Sequence, residues 1–185
     1  MKLFRRKGRT PLETPRFRAG GDVFTFGREG DVRVARVSAN GERTVELFHS
    51  LTARMGDPLS LSLECLRSRR EFLGQDLARV EVREAVARLK VPLVAHAGVE
   101  VGVFTDEEQL ALSALLELWI YARDDRWLPI LMREGLEEVG QLPKRTWTVK
   151  RDEFAGAPEM VDAVTEAAER LTLHLVSSRF PPAPR

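Results

Sequence analysis

Residues 59–65 read Leu-Ser-Leu-Ser-Leu-Glu-Cys, and this stretch decides the fold class. In an extended chain its leucines and Cys65 point to one side, while its serines and glutamate point to the other. Such period-two alternation belongs to an antiparallel sheet that is covered on one face and wet on the other. Pro58 stands at the start of the stretch, as is common at the first residue of a strand.

Further strands are expected on both sides of this one. The dipeptide Asn40-Gly41 predicts a hairpin turn between residues 31–37 and 42–50, because a type I′ turn requires two residues that tolerate positive φ. Tight-turn residues at 123–126 predict a second hairpin, with Pro129 confining its strand to a sheet edge. The remaining expected strands are 22–26, 93–104 with a bend at Gly98, and 145–151.

Three helices are expected. Apolar spacing favours a helix over 69–90 that ends at Pro92, although a strand at 77–82 followed by a shorter helix is the rival interpretation. Thr105-Asp-Glu-Glu108 is a capping box that predicts a helix after Thr105. Pro158 suits the first position of a third helix, which could continue through Leu175. The sequence thus predicts an α+β fold, with a largely antiparallel sheet of about 5–8 strands packed against two or three helices.

The 185 residues fit one domain of ordinary size. We expect a basic arm that contains proline and glycine at 1–21, a single α+β domain at 22–178 and a proline-rich tail at 179–185. The single cysteine excludes an intrachain disulfide. No apolar segment follows the charged N-terminus, and no run is long enough to span a membrane, so the sequence predicts a cytoplasmic protein.

The arm has the opposite charge to the rest of the chain. Residues 1–20 carry a net charge of +6 and the remainder carries −5. These cations could bind nucleic acid, with Phe4 and Phe17 stacking on bases, or could bind an anionic membrane surface. The third interpretation is a solvated leader with no specific contact. The basic residues of the arm are Lys2, Arg5, Arg6, Lys7, Arg9, Arg16 and Arg18.

The common catalytic motifs are missing from the sequence. It has no phosphate-binding glycine loop, dinucleotide fingerprint or nucleophile elbow. His49, His96 and His174 stand alone in different expected elements, without the spacing of a metal site. Cys65 lies on the apolar face of its strand, as a buried structural cysteine does. We therefore expect no cofactor, no metal and no catalytic residue. If the chain is an enzyme or ligand-binding protein, its pocket should contain His49, His96, Glu46 and Glu100.

Aromatic and arginine residues cluster between positions 119 and 127. Residues of these types dominate the energetic centres of protein interfaces, so this cluster is the candidate partner-binding site. In the alternative interpretation, the two tryptophans pair across strands and fill the core. The candidate partner-binding residues are Trp119, Tyr121, Arg123, Arg126 and Trp127.

The sequence therefore favours a non-enzymatic binding or adaptor module that engages a protein partner or its own copy, through a sheet face or the edge near Pro129. A small-molecule-binding protein or small enzyme with a pocket against the sheet is the alternative. A nucleic-acid or membrane-surface accessory protein, tethered by its basic arm, is the second alternative.

Overall fold

The computed structural model describes residues 17–18, 21–144, 146–147 and 158–178. In these residues the fold is α+β, with a mostly antiparallel sheet, as the sequence predicts. The sheet has nine strands and the described part contains four helices, so both numbers lie just above the expected ranges. A separate antiparallel pair joins one strand of the arm to a strand near Trp147.

The strands in chain order are β1 (Phe17–Arg18), β2 (Val23–Glu29), β3 (Val32–Ser38), β4 (Leu59–Cys65), β5 (Arg70–Leu77), β6 (Val99–Phe104), β7 (Glu108–Leu112), β8 (Leu118–Ala122), β9 (Glu137–Glu138), β10 (Thr146–Trp147) and β11 (His174–Ser178). The helices are α1 (Gly41–Thr52), α2 (Arg79–His96), α3 (Trp127–Arg133) and α4 (Pro158–Arg170).

The large sheet has the order β11-β5-β4-β6-β7-β8-β3-β2-β9. Every neighbouring pair is antiparallel except β2 and β9. Strand β4 lies inside the sheet between β5 and β6, and its leucines and Cys65 are at most 1% exposed while its serines and glutamate are half-buried. This alternation is the one expected from residues 59–65.

The two faces of the sheet have different characters. Leucines and valines of the central strands pack with buried residues of the four helices in one apolar cluster. Side chains at the alternate positions point away from that cluster, and we call this side the open face. Its residues on the middle strands are Ser60, Ser62, Glu64, Glu100, Gly102, Phe104, Gln109, Ala111, Trp119, Tyr121, Val34 and Arg36.

The hairpin predicted at Asn40-Gly41 is wrong, because residues 41–52 form helix α1. Asn40 is extended and its carbonyl accepts the first-turn hydrogen bond from the Thr44 N–H at 2.8 Å. Over so short a stretch the spacing of Val45, Leu47 and His49 fits a strand. The residues that are buried include Val45, Phe48 and Leu51, and their spacing is helical. The hairpin that does form joins β2 to β3 through Gly30, whose φ is +62°.

The helix predicted over 69–90 is also wrong in its first part, which is strand β5. The rival interpretation has the correct order of strand then helix, but it places the strand too late. Helix α2 runs through Pro92 to His96, so the proline does not end it and residues 93–96 are not a strand. The chain leaves the helix at Ala97 and Gly98, both with positive φ, and β6 begins at Val99.

The capping box at Thr105 forms hydrogen bonds without starting a helix. The Thr105 hydroxyl accepts from the N–H groups of Glu107 and Glu108, at 3.2 and 3.3 Å. The Thr105 N–H, however, donates to the Glu108 carbonyl at 2.8 Å, which closes a tight turn between β6 and β7. The predicted helix is therefore a strand.

The second predicted hairpin has only its first strand. Residues 118–122 form β8, but Pro129 lies in the first turn of helix α3, where its missing N–H is tolerated. Helix α4 begins at Pro158 as predicted and ends at Arg170, so Leu175 lies in β11 instead. Of the strand predicted at 145–151, residues 146–147 are β10; the rest lies outside the described residues.

Candidate functional site

Two predicted site residues, Trp119 and Tyr121, lie together on the open face. They occupy alternate positions of β8, and their rings are stacked with centroids 6.2 Å apart and planes 7° apart. Their backbone neighbours Leu118, Ile120 and Ala122 are buried on the helix side. Both rings are therefore anchored at the base by a buried strand and remain partly exposed above it.

An arginine of the neighbouring strand completes the stack. Arg36 of β3 is the direct cross-strand partner of Trp119, and its guanidinium carbon lies 4.0 Å from the centre of the Trp119 ring. A guanidinium over an indole face is attracted by the ring quadrupole. We call Arg36, Trp119 and Tyr121 the open-face stack.

Tyr121 is neutral in this arrangement. Burial raises the pKa of its hydroxyl above 10.0, and the carboxylate of Glu29 raises it further, whereas the Arg36 cation lowers it. The hydroxyl therefore stays protonated at neutral pH and can both donate and accept a hydrogen bond.

Two concavities adjoin the stack. The first is a shallow depression of about 190 Å³ over β6, β7 and β8, with a rim that includes Ser62, Glu100, Gln109 and Trp119. The second is a cleft of about 600 Å³ between β2, β3 and β8 on one side and residues 140–144 on the other. Trp119 lines both, so the stack lies between them.

Trp127 and Arg126, predicted with the same cluster, lie on the opposite side of the sheet. Trp127 is 1% exposed and belongs to the core, and it does not pair across strands with Trp119. Its indole N–H donates to the carboxylate of Glu108 at 3.0 Å, and Arg126 forms an ion pair with the same carboxylate. Glu108 also accepts from the Gly56 N–H at 3.3 Å. These contacts hold α3 to the start of β7.

Arg123 has an exposed environment. It pairs with Glu107 at 3.3 Å, where both side chains are about two-thirds exposed. A cleft of about 660 Å³ lies beside this pair, and most of the charged residues in its lining are acidic, including Asp57, Asp76 and Asp106. The five predicted partner-binding residues are thus divided between the two sides of the sheet.

The four residues expected in an enzyme pocket lie on three different elements. His49 and Glu46 are on α1, His96 ends α2, and Glu100 is on the open face of β6. Burial lowers the pKa of His49 below 6.5, the cations of Lys90 and Arg83 lower it further, and Glu46 opposes them. His174 is an exposed residue of the edge strand β11.

Among the described residues, no group of three histidine, cysteine or acidic side chains could hold a metal ion. Cys65 is buried and has no disulfide partner. Of the arm's basic residues, only Arg18 lies in the described part, where its backbone pairs with Thr146. Lys2, Arg5, Arg6, Lys7, Arg9 and Arg16 lie outside it.

Apart from Trp119, the residues of the second cleft, including Arg36, were not among the predicted site residues. Alternation in β3 would have placed Arg36 on the same face as Val34, but the sequence does not show that β3 lies next to β8. Residues 140–144 have no periodic pattern that could have indicated their place beside the sheet.

Comparison with known proteins identified no relative: neither a family model, nor a curated protein, nor a solved structure matches the chain. None of the helices in the described ranges has the length and apolar character needed to cross a membrane.

Proposed function

We propose that this chain is a non-enzymatic binding protein that engages a protein partner through the open face of its sheet, with the open-face stack at the centre of the contact. The observation that carries the proposal is the position of Trp119, Tyr121 and Arg36. These are the three residue types most enriched among interface hot spots, and here they are adjacent and partly exposed.

The stack also reduces the entropic cost of binding. Each immobilised side chain typically costs about 0.5–1.5 kcal/mol when a complex forms. Trp119 already contacts Arg36 on one strand and Tyr121 on its own strand. A partner that covers these rings therefore has fewer side-chain rotations left to freeze.

The residues around the open-face stack are polar, as expected at the rim of a protein–protein interface. Ser62, Gln109 and Glu100 border the shallow depression beside Trp119 and offer hydroxyl, amide and carboxylate groups. An aromatic centre with a polar rim is the usual composition of a non-obligate interface. Glu64 and Glu100 face each other on the same side of the sheet, and their negative charge disfavours a nucleic-acid backbone there.

The proposal can be tested by selecting binders from a displayed random peptide library on the full chain. A Trp119→Ser, Tyr121→Ser double variant should weaken the selected peptides by on the order of 1,000-fold, because two hot-spot truncations at about 2 kcal/mol each cost about 4 kcal/mol together. Val91→Ser is the matched control, since Val91 is 77% exposed on α2, away from the open face.

Thermal unfolding of each variant would confirm that it remains folded. Peptides that bind the double variant as tightly as the wild type would refute the proposal, and so would a library that yields no binder. Sedimentation of the wild type and the double variant would detect a second copy on this face, as self-association that the double variant loses, and a labelled oligothymidine would detect nucleic acid. Either of these occupying the stack would also refute it.

A further inference from the structure

The cleft of about 600 Å³ next to Trp119 has a chemistry that the open-face stack alone does not explain. Its sheet wall includes Arg36, Ser38 and Thr25, and its other wall includes Gln141 and Lys144. Trp119 lines this cleft and stacks with Tyr121. A partner segment that covers these two rings therefore lies next to the opening of the cleft.

The two cations of the cleft have no carboxylate partner in the described part of the chain. Arg33, on the same strand as Arg36, pairs with Asp125 at 2.6 Å. Neither Arg36 nor Lys144 forms such a pair among the described residues. Glu117 also lines the cleft, and the charged groups of the lining sum to a net charge of +1.

The orientation of Arg36 suits an anion. Its guanidinium carbon is close to the Trp119 ring, which supports the planar group on one face. An arginine held in this way still presents N–H groups at its edge, and their fork matches the two oxygens of a carboxylate.

Ser38 provides an independent observation. It lies two positions after Arg36 on the same face of β3, it is 1% exposed, and its hydroxyl has no hydrogen-bond partner in the described residues. A buried hydroxyl without a partner is uncommon in folded proteins. Its location in the cleft lining means that a ligand oxygen could satisfy it there.

We infer that the protein partner inserts an acidic side chain into this cleft, where Arg36 and Lys144 bind its carboxylate and the Ser38 hydroxyl donates a hydrogen bond to it. The inference rests on the proposed function, and it adds a chemical requirement: the segment that crosses the stack must carry an aspartate or glutamate next to the residues that cover Trp119.

The test uses peptides selected on the full chain from the displayed random library. They should be enriched in aspartate or glutamate at one fixed position. Changing that residue to its amide should weaken binding to the wild type by on the order of 10- to 100-fold, as expected for a charge-assisted hydrogen bond. The Arg36→Gln variant should lose at least the same factor of affinity for the acidic peptide, because it also loses the support that Arg36 gives to the Trp119 ring.

A double-mutant cycle then isolates the contact. Arg36→Gln should weaken the amide peptide less than it weakens the acidic peptide, because both lose the support that Arg36 gives to Trp119 but only the acidic peptide also loses the charged contact. Arg28→Gln is the matched control, because Arg28 is an exposed arginine of β2 whose contacts in the described part of the chain are with Asp31 and the Gly30 carbonyl, away from the cleft. Ser38→Ala should weaken the acidic peptide more than the amide peptide.

The possible failures are distinguishable. Selected peptides that depend on Trp119 but tolerate the amide change would refute the acidic side chain and leave the proposed function intact. Peptides that ignore Trp119 would refute the proposed function itself. A phosphoserine peptide that binds at least tenfold more tightly than the glutamate peptide would show that the cleft selects phosphate and would overturn the carboxylate assignment.

Discussion

Replacing Glu108 with alanine should destabilise the fold strongly, although its sequence neighbour Glu107 should be replaceable at little cost. Glu108 is 8% exposed and accepts hydrogen bonds from the Trp127 indole, Arg126 and the Gly56 N–H. Glu107 is 67% exposed, and exposed Arg123 is its one ion-pair partner among the described residues. The two residues are chemically identical, so the difference in stability between the two alanine variants measures what the buried contacts of Glu108 contribute.

The magnitude follows from the groups left without a partner. A buried donor without an acceptor costs about 1–3 kcal/mol, and this applies to the Trp127 N–H. Arg126 is 39% exposed, so water solvates part of its charge. Losing the Arg126–Glu108 ion pair therefore destabilises the fold less than losing a fully buried ion pair would. We expect Glu108→Ala to lower the free energy of unfolding by about 2–4 kcal/mol. Glu107→Ala should change it by less than about 0.5 kcal/mol.

Urea denaturation of both variants at neutral pH measures these values, with an unchanged slope showing that the transition is comparable. Glu108→Gln should be intermediate, because its amide oxygen can still accept from Trp127. Equal effects of the two alanine variants would refute the structural role we assign to Glu108, Arg126 and Trp127. Equal effects would also make Arg126 and Trp127 candidates for partner binding again.

Two further predictions concern stability. Because burial and nearby cations hold the pKa of His49 below 6.5, the unfolded chain takes up its proton at a higher pH than the folded chain does; the free energy of unfolding should fall as the pH drops below about 6.5. His49→Gln should flatten this part of the pH profile, and an unchanged slope would contradict the assignment. Gly74→Ala should cost about 1 kcal/mol in urea denaturation, because a Cβ there would overlap Leu173 Cδ2 and lie 3.0 Å from Leu77 Cδ1, so the ends of both leucine side chains would have to move. Gly27→Ala, with nothing within 4 Å of the added Cβ, is the control and should change stability by less than about 0.5 kcal/mol.

The sequence predicted an element correctly where the spacing of its apolar residues fits either a strand or a helix but not both. Residues 59–65 alternate strictly and form a strand, and Pro158 starts a helix as expected. Residues 42–50 fit both a strand and a helix, and the packing of α1 against α2 and the sheet decides between them. The Thr105 signature failed because the same hydrogen bonds that cap a helix also form in the turn that joins β6 to β7.

The candidate site was predictable only in part, for a geometric reason. Trp119 and Tyr121 were identified from residue type, and the period of β8 keeps both on one face. Trp127 was grouped with them because it is near in sequence, but a turn and a helix carry it to the other side of the sheet. Arg36 lies more than 80 residues before Trp119, and their contact depends on a strand register that no local pattern encodes.

The pairing of β3 with β8 has a consequence for the newly made chain. Arg33 pairs with Ala122, so the outer edge of the β2–β3 hairpin gains its neighbour only after almost 90 further residues are synthesised. At roughly 5–20 residues per second, that delay is about 5–20 seconds. During this interval the backbone donors and acceptors of that hairpin edge, with Val34 and Val37 beside them, are available to other chains on the same messenger. Protein made at high polysome density should therefore aggregate through this hairpin before β8 emerges.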